Sequence, residues 1–272
     1  MPPARPSDTT DWTIAEIAEA IRARRVSPVE VTRACLERID RLDPGLRSFI
    51  TLDGDRALAT ARTLEADATA GRWRGPLHGV PMAFKDLCAI PGLPTSGGTK
   101  TPDYFAPAPP CTAVVRLQAA GAVTLGKLNM TELALGPFGD NAHHGDVQNP
   151  WRAGHASGGS SSGSGAAVAA GLVAGALGTD TGGSIRLPAA CCGIVGLKPT
   201  YGRVSRAGVM PLSWSLDHLG PMARTVRDVA LLLGIIAGHD PRDATSSRRP
   251  VPDYLAALER PVRGLRIGLA DT

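Results

Sequence analysis

A serine hydroxyl attacks a carbonyl only when a base and a set of hydrogen-bond donors stand beside it. The run SGGSSSGSG, residues 157–165, contains nothing but serine and glycine. Twenty-four positions after its Gly-Gly-Ser triplet, residues 158–160, a second Gly-Gly-Ser stands at 182–184 within GTDTGGSIRLPAACCG, residues 178–193. A short helix opening there would aim its first amides toward Ser184. The backbone N–H groups of Thr181, Gly182, Gly183 and Ser184 could then line an oxyanion hole, with glycine leaving room for a substrate carbonyl.

By composition the first run would pass for a linker, but linkers are flanked by polar, exposed chain. Its right-hand neighbour is AAVAAGLVAGALG, residues 166–178, which reads as a buried helix running into buried chain. The run is therefore read as a closely packed loop, structural or catalytic, in which glycine permits close approach and serine supplies hydroxyls. A phosphate loop is excluded by the missing GK[ST] ending and by the lack of a G-x-G-x-x-G motif after a clear strand.

The base could be histidine or lysine. The six histidines, at 78, 143, 144, 155, 218 and 239, stand mostly in polar, loop-like surroundings without an orienting partner at useful spacing. Lysine serves only if burial leaves it neutral. The chain has four lysines, at 85, 100, 127 and 198, among 29 basic residues, so arginine supplies the surface charge and each lysine is informative. Lys85 ends the apolar stretch VPMAF. It is read either as a desolvated base or as a strand-end lysine that reaches solvent or pairs with Asp86.

The elements that must position these groups are legible in part. Ile14, Ile17, Ala18 and Ile21 repeat with helical period, and SPVE at 27–30 offers Ser27 as cap, Pro28 at the first helical position and Glu30 two residues on, with Val31, Cys35, Ile39 and Leu42 on one face. A third helix is predicted over about 55–70, ending at Gly71. Short apolar runs then follow at 79–84, 121–126, 192–198 and 265–270, alternating with helices near 112–120, 165–176 and 225–237. In the last of these Thr225 is the cap, and Val226, Val229, Ala230, Leu233, Ile236 and Ala237 form the buried face. PDYFAPAPP at 102–110 and the polar stretch 240–252 read as surface loops. The alternation predicts an α/β fold, a sheet with helices packed on it.

The 272 residues, 43% hydrophobic and 20% charged, make an ordinary globular composition. A net charge of +4 would suit nucleic acid, but the arginines are scattered and aromatics are only 4%, which argues against direct nucleic-acid binding. The five cysteines are odd in number and lack CxxC or Cys/His spacing, so neither a disulfide framework nor a metal site is expected and a cytoplasmic location is. No apolar segment is long enough to span a membrane, and the N-terminus lacks a signal pattern.

Together the segments LHGVPMAFKD (77–86), AAGAVTLGKLNMTELA (119–134), NPW (149–151), GGSSSGSGAAVAAG (158–171), LGTDTGGSIRLPAACCGIVGLKPTYGRVS (177–205) and LDHLGPMARTVRDVALLLGIIAGHDPRD (216–243) resemble the amidase signature family. The resemblance implies a mixed β-sheet covered by helices and a Ser–cis-Ser–Lys triad that forms a serine acyl-enzyme and requires no metal or organic cofactor. Ser184 matches the nucleophile, Ser160 the bridging serine entered by a cis peptide, and Lys85 the base. Ser161 and Asp180 match groups that hold the loops, and Arg186 matches a structural ion-pair partner. Ser162 and Ser157 depart from the glycine and proline common in the family at those places.

The resemblance implies a single domain over 1–272, with an N-terminal helical part (1–75) and a catalytic core (76–272), in which the C-terminal part of the fold is missing. Its implied activity is hydrolysis of a small-molecule carboxylic amide to an acid plus ammonia or an amine; a homodimer is one candidate assembly, and the sequence does not give the oligomeric state. The alternatives are the glutaminase subunit of a tRNA-dependent aspartyl/glutamyl amidotransferase, which works with partner subunits, and an inactive truncated member. GPFGDNAHHGD, residues 136–146, departs from the pattern of that glutaminase and favours the free-standing amidase.

Overall fold

The computed structural model describes residues 8–101, 109–266 and 268. Six strands form one mixed sheet in the order β1-β3-β2-β4-β6-β5: β1 (Phe49–Leu52), β2 (Pro81–Lys85), β3 (Val123–Leu128), β4 (Gly175–Asp180), β5 (Val195–Gly196) and β6 (His218–Ala223). The central strand β2 runs parallel to β3 and β4, whereas β1, β6 and β5 are antiparallel to their neighbours. Eight helices accompany the sheet among the described residues: α1 (Ile14–Arg22), α2 (Pro28–Leu46), α3 (Gly54–Thr69), α4 (Thr112–Ala119), α5 (Ser162–Ala169), α6 (Arg186–Cys192), α7 (Val226–Ile236) and α8 (Tyr254–Leu258).

Helices cover both faces of the sheet. Met82 and Phe84 of β2 join a cluster with Ile14, Ile17, Leu117, Leu232 and Ile236 from α1, α4 and α7, while Ala83, between them, joins Ile39, Leu64, Leu125 and Val168 on the other face. Strands buried on both faces carry continuous apolar runs, so β2 shows no polar alternation. α1 and α2 each begin with a capping box, Thr13 with Glu16 and Ser27 with Glu30, which fixes both starts locally.

Several expectations need correction. The stretch predicted as a helix over 165–176 is instead α5, ending at Ala169, a turn through Gly171 at φ +69°, and the strand β4. A run of small apolar residues has no period to separate a buried helix from a buried strand. The N-terminal 75 residues are not wholly helical, because β1 joins the sheet at its edge. Val226 is 56% exposed, and the buried face of α7 takes in Asp228 and Leu232. The run 192–198 yields only the two-residue β5. The strand expected at 265–270 and the loop at 102–110 lie largely outside the described residues.

Candidate active site

The first serine–glycine run is interior: every residue from Ser157 to Gly165 is buried. It packs under the carboxyl ends of the parallel strands β2 and β4, where sites in open α/β sheets gather. Gly159 shows why glycine is required, since a Cβ there would lie 2.7 Å from Gly136 O and 2.8 Å from Thr131 Oγ1. The Gly159–Ser160 peptide is cis. Ser160 O accepts from Thr131 N at 3.2 Å, tying the loop to the segment after β3.

Lys85 closes β2 with no solvent exposure. Its Nζ donates to Ser160 Oγ and to Thr179 Oγ1, each at 2.8 Å. Burial disfavours the ammonium and lowers its pKa from 10.5 to about 7, against opposing pulls from Cys88, Asp180 and Asp217. Neither alternative for a strand-end lysine is realised. Lys85 does not reach solvent, and Asp86 pairs with Lys127 instead, at 2.8 Å.

Ser161 stands where α5 would take a capping residue, but its hydroxyl turns to β4, donating to Thr179 O and accepting from Thr179 N, both at 3.2 Å. Asp180 ends β4 and organises the turn that follows. Its carboxylate accepts from the amides of Gly183 at 2.9 Å and Ile185 at 3.1 Å, and takes two bonds from Arg186, Nη2 at 2.9 Å and Nε at 3.0 Å. Burial pulls the Asp180 carboxyl upward, and the Arg186 guanidinium with the Ile185 amide outweighs it and holds the carboxyl below the usual range.

The turn corrects one expectation about the amides. Gly183 N is already engaged by the Asp180 carboxylate and would have to share its proton to serve an oxyanion. No acceptor among the described residues takes the amides of Gly182 or Ser184. Gly182 is exposed, Ser184 is half-buried, and the space where a Gly182 Cβ would project is open to 4 Å. Ser184 O accepts from Ser161 N at 3.2 Å, which brings the second Gly-Gly-Ser against the first. Among the described residues Ser160 Oγ is hydrogen-bonded to Lys85 and not to Ser184 Oγ.

Residues 30–272 match the amidase family. The chain belongs to the amidase signature family. A relative of this amidase-family chain, the glutamyl-tRNA(Gln) amidotransferase A-subunit of Methylococcus capsulatus, is 54% identical over 257 residues, covering 94% of this chain and 53% of the relative. The native peptide amidase of Stenotrophomonas maltophilia superposes with a TM-score of 0.86 at 43% identity, over 92% of this chain and 53% of that one. A bacterial aryl acylamidase of the amidase signature enzymes gives 0.84 at 34% identity, over 91% and 51%. The chain thus spans about half the length of the curated relatives it matches.

Within this amidase-family site, sequence reasoning missed Thr179, Lys127 and Asp217. Thr179 shares Lys85, Lys127 neutralises Asp86, and Asp217 accepts from Thr181 Oγ1 at 2.6 Å. The scarcity of lysine marks Lys127 as much as Lys85. Of the departures from the family pattern, Ser157 donates to Val147 O at 2.8 Å, whereas Ser162 Oγ has no partner among the described residues.

Proposed function

We propose that the protein hydrolyses a carboxylic amide to the acid and ammonia or an amine through an acyl-enzyme on Ser184. The observation that carries this reading is the 2.8 Å contact between Lys85 Nζ and Ser160 Oγ, wholly buried, with the lysine pKa lowered to about 7. In the neutral form the Nζ lone pair accepts the Ser160 proton across that contact while Ser160 takes the proton of Ser184. Ser184 Oγ then bonds to the amide carbon, and the amides of Thr181, Gly182 and Ser184 bind the oxyanion, each worth on the order of 3 kcal/mol. Collapse breaks the carbon–nitrogen bond, and the proton held by Lys85 returns through Ser160 to the departing amine. Water cleaves the resulting ester by the same route. The Ser160–Ser184 hydrogen bond closes when substrate is seated, as links of this kind often tighten only in the complex.

Residues 76–272 form the catalytic core in this reading, with residues 1–75 supporting it from the sheet edge. A fluorophosphonate probe tests the assignment. Modification of Ser184, lowered by orders of magnitude in Lys85→Ala and in Ser160→Ala, is the expected result. A folded protein that leaves Ser184 unmodified would be the inactive family member, and near-normal labelling of either variant would remove the relay.

A second reading is favoured by the relatives at 51–54% identity, which are A-subunits of glutamyl-tRNA(Gln) amidotransferases. In that case the substrate is glutamine and the ammonia passes to partner subunits in the cytoplasm. Glutaminase activity that appears only with those partners would decide for it over a free-standing amidase.

A further inference from the structure

Asp217 lies one residue before β6 and is buried, with both carboxylate oxygens engaged. Oδ1 accepts from Thr181 Oγ1 at 2.6 Å. Oδ2 accepts from the amides of Leu212 and Ser213 at 2.8 and 2.9 Å, and the Asp217 amide donates back to Ser213 O at 3.0 Å. One side chain therefore joins two segments. The first is the head of the turn that ends in Ser184. The second is the loop 212–217, which carries Trp214, 77% exposed, and whose Trp214 O is held by Tyr201 Oη at 2.9 Å and Arg206 Nη1 at 2.8 Å. A recess beneath this loop is lined by Leu87, Val209, Met210, Trp214 and Asp217 and reaches Thr179, the hydroxyl that meets Lys85.

We propose that Asp217 is a positioning residue of the amide-hydrolysis site, which sets the oxyanion turn at a fixed distance from the Trp214 rim. The proposal rests on the hydrolase reading above. By accepting from Thr181, Asp217 holds the peptide that presents Gly182 N. By accepting from Leu212 and Ser213, it holds the wall against which the remainder of a substrate would lie. A misplacement of about 1 Å at such a junction costs on the order of a hundredfold in rate.

Saturation kinetics of fluorophosphonate labelling at Ser184, with thermal unfolding followed on the same samples, test it. Thr181→Val cuts only the link to the turn, and lowers the maximal labelling rate about tenfold with the half-saturating probe concentration unchanged. Asp217→Ala cuts both links, lowers the rate about a hundredfold and raises that concentration. Asp217→Asn offers Oδ1 to the two loop amides and Nδ2 to Thr181 Oγ1, so it recovers labelling to within about threefold of the wild type.

A Thr181→Val protein that labels at the wild-type rate overturns the proposal, and this arm stands even if Asp217→Ala does not fold. An Asp217→Asn protein as slow as Asp217→Ala overturns it too, since charge and not position would then matter. A folded wild type that is never labelled overturns the hydrolase reading and this proposal with it, whereas a labelled wild type with unaffected variants overturns the proposal alone.

Discussion

Lys127 Nζ stands 2.8 Å from Asp86 Oδ1 with both side chains sealed from solvent, so the acid next to Lys85 in sequence belongs to a different lysine. Lys127 also donates to Pro94 O at 3.0 Å and Thr95 Oγ1 at 2.9 Å, and Asp86 accepts from Ser96 N at 2.9 Å, which pins the 94–96 loop. Among the described residues Lys85 is thereby left without an ion-pair partner. That condition allows burial to lower its pKa.

Asp86→Asn leaves Lys127 charged and unpaired in the interior, and is predicted to lower stability by about 3–5 kcal/mol. Asp86→Asn combined with Lys127→Met removes the stranded charge and is predicted to recover a large part of that loss. Urea unfolding of the wild type, both single variants and the double variant measures the coupling.

The Lys85 pKa makes two predictions about pH. The rate of Ser184 labelling should rise with pH through a midpoint of about 7, as the amine loses its proton. Stability should rise over a higher window. Between about 7 and 10.5 the unfolded chain holds the Lys85 proton and the folded chain does not, so this group adds about 1.4 kcal/mol of stability per pH unit there, and nothing below about 7. Lys85→Met should flatten the rise, and chemical denaturation of both proteins from pH 7 to 10 checks it.

Asp180→Ala removes the acceptor for the Gly183 and Ile185 amides and for Arg186. Loss of labelling by at least two orders of magnitude is predicted, with a lower melting temperature. Arg186→Ala, whose side chain is half exposed, should lose less in both assays.

Ser162 offers an opposite case. Its hydroxyl is buried without a partner among the described residues, at the first position of α5. Ser162→Ala removes an unsatisfied group from a helix, and is predicted to raise stability by about 1 kcal/mol. A lower melting point would show that the hydroxyl has a partner.

The helices with local punctuation were readable from sequence: Ser27, Pro28 and Glu30 mark the start of α2, and Thr225 that of α7. Tertiary decisions were less so. Pro221, which lacks an amide donor, argues against a strand, yet β6 accommodates it between β4 and β5. Whether residues 172–180 form a helix or a strand depends on the sheet that receives them. In the site, Lys85 was singled out by scarcity and by the apolar run before it, but its choice between Ser160 and Asp86 depended on Lys127, which approaches from another strand. Likewise Gly183 counts as a free amide until the Asp180 carboxylate is seen to fold back on it.

Gly159 and Gly182, one from each of two triplets that are identical as text, are opposite as places for variation. Gly159 is hemmed in by backbone and hydroxyl oxygens, so every side chain is refused there whatever the substrate. Gly182 faces open space, and a side chain there would meet the incoming molecule before it met the protein. Under the hydrolase reading, a mutant library at position 159 must displace the loop that carries Ser160 before it varies anything else. One at position 182 samples folded proteins of altered appetite, and divergence among descendants of this chain has room to begin there.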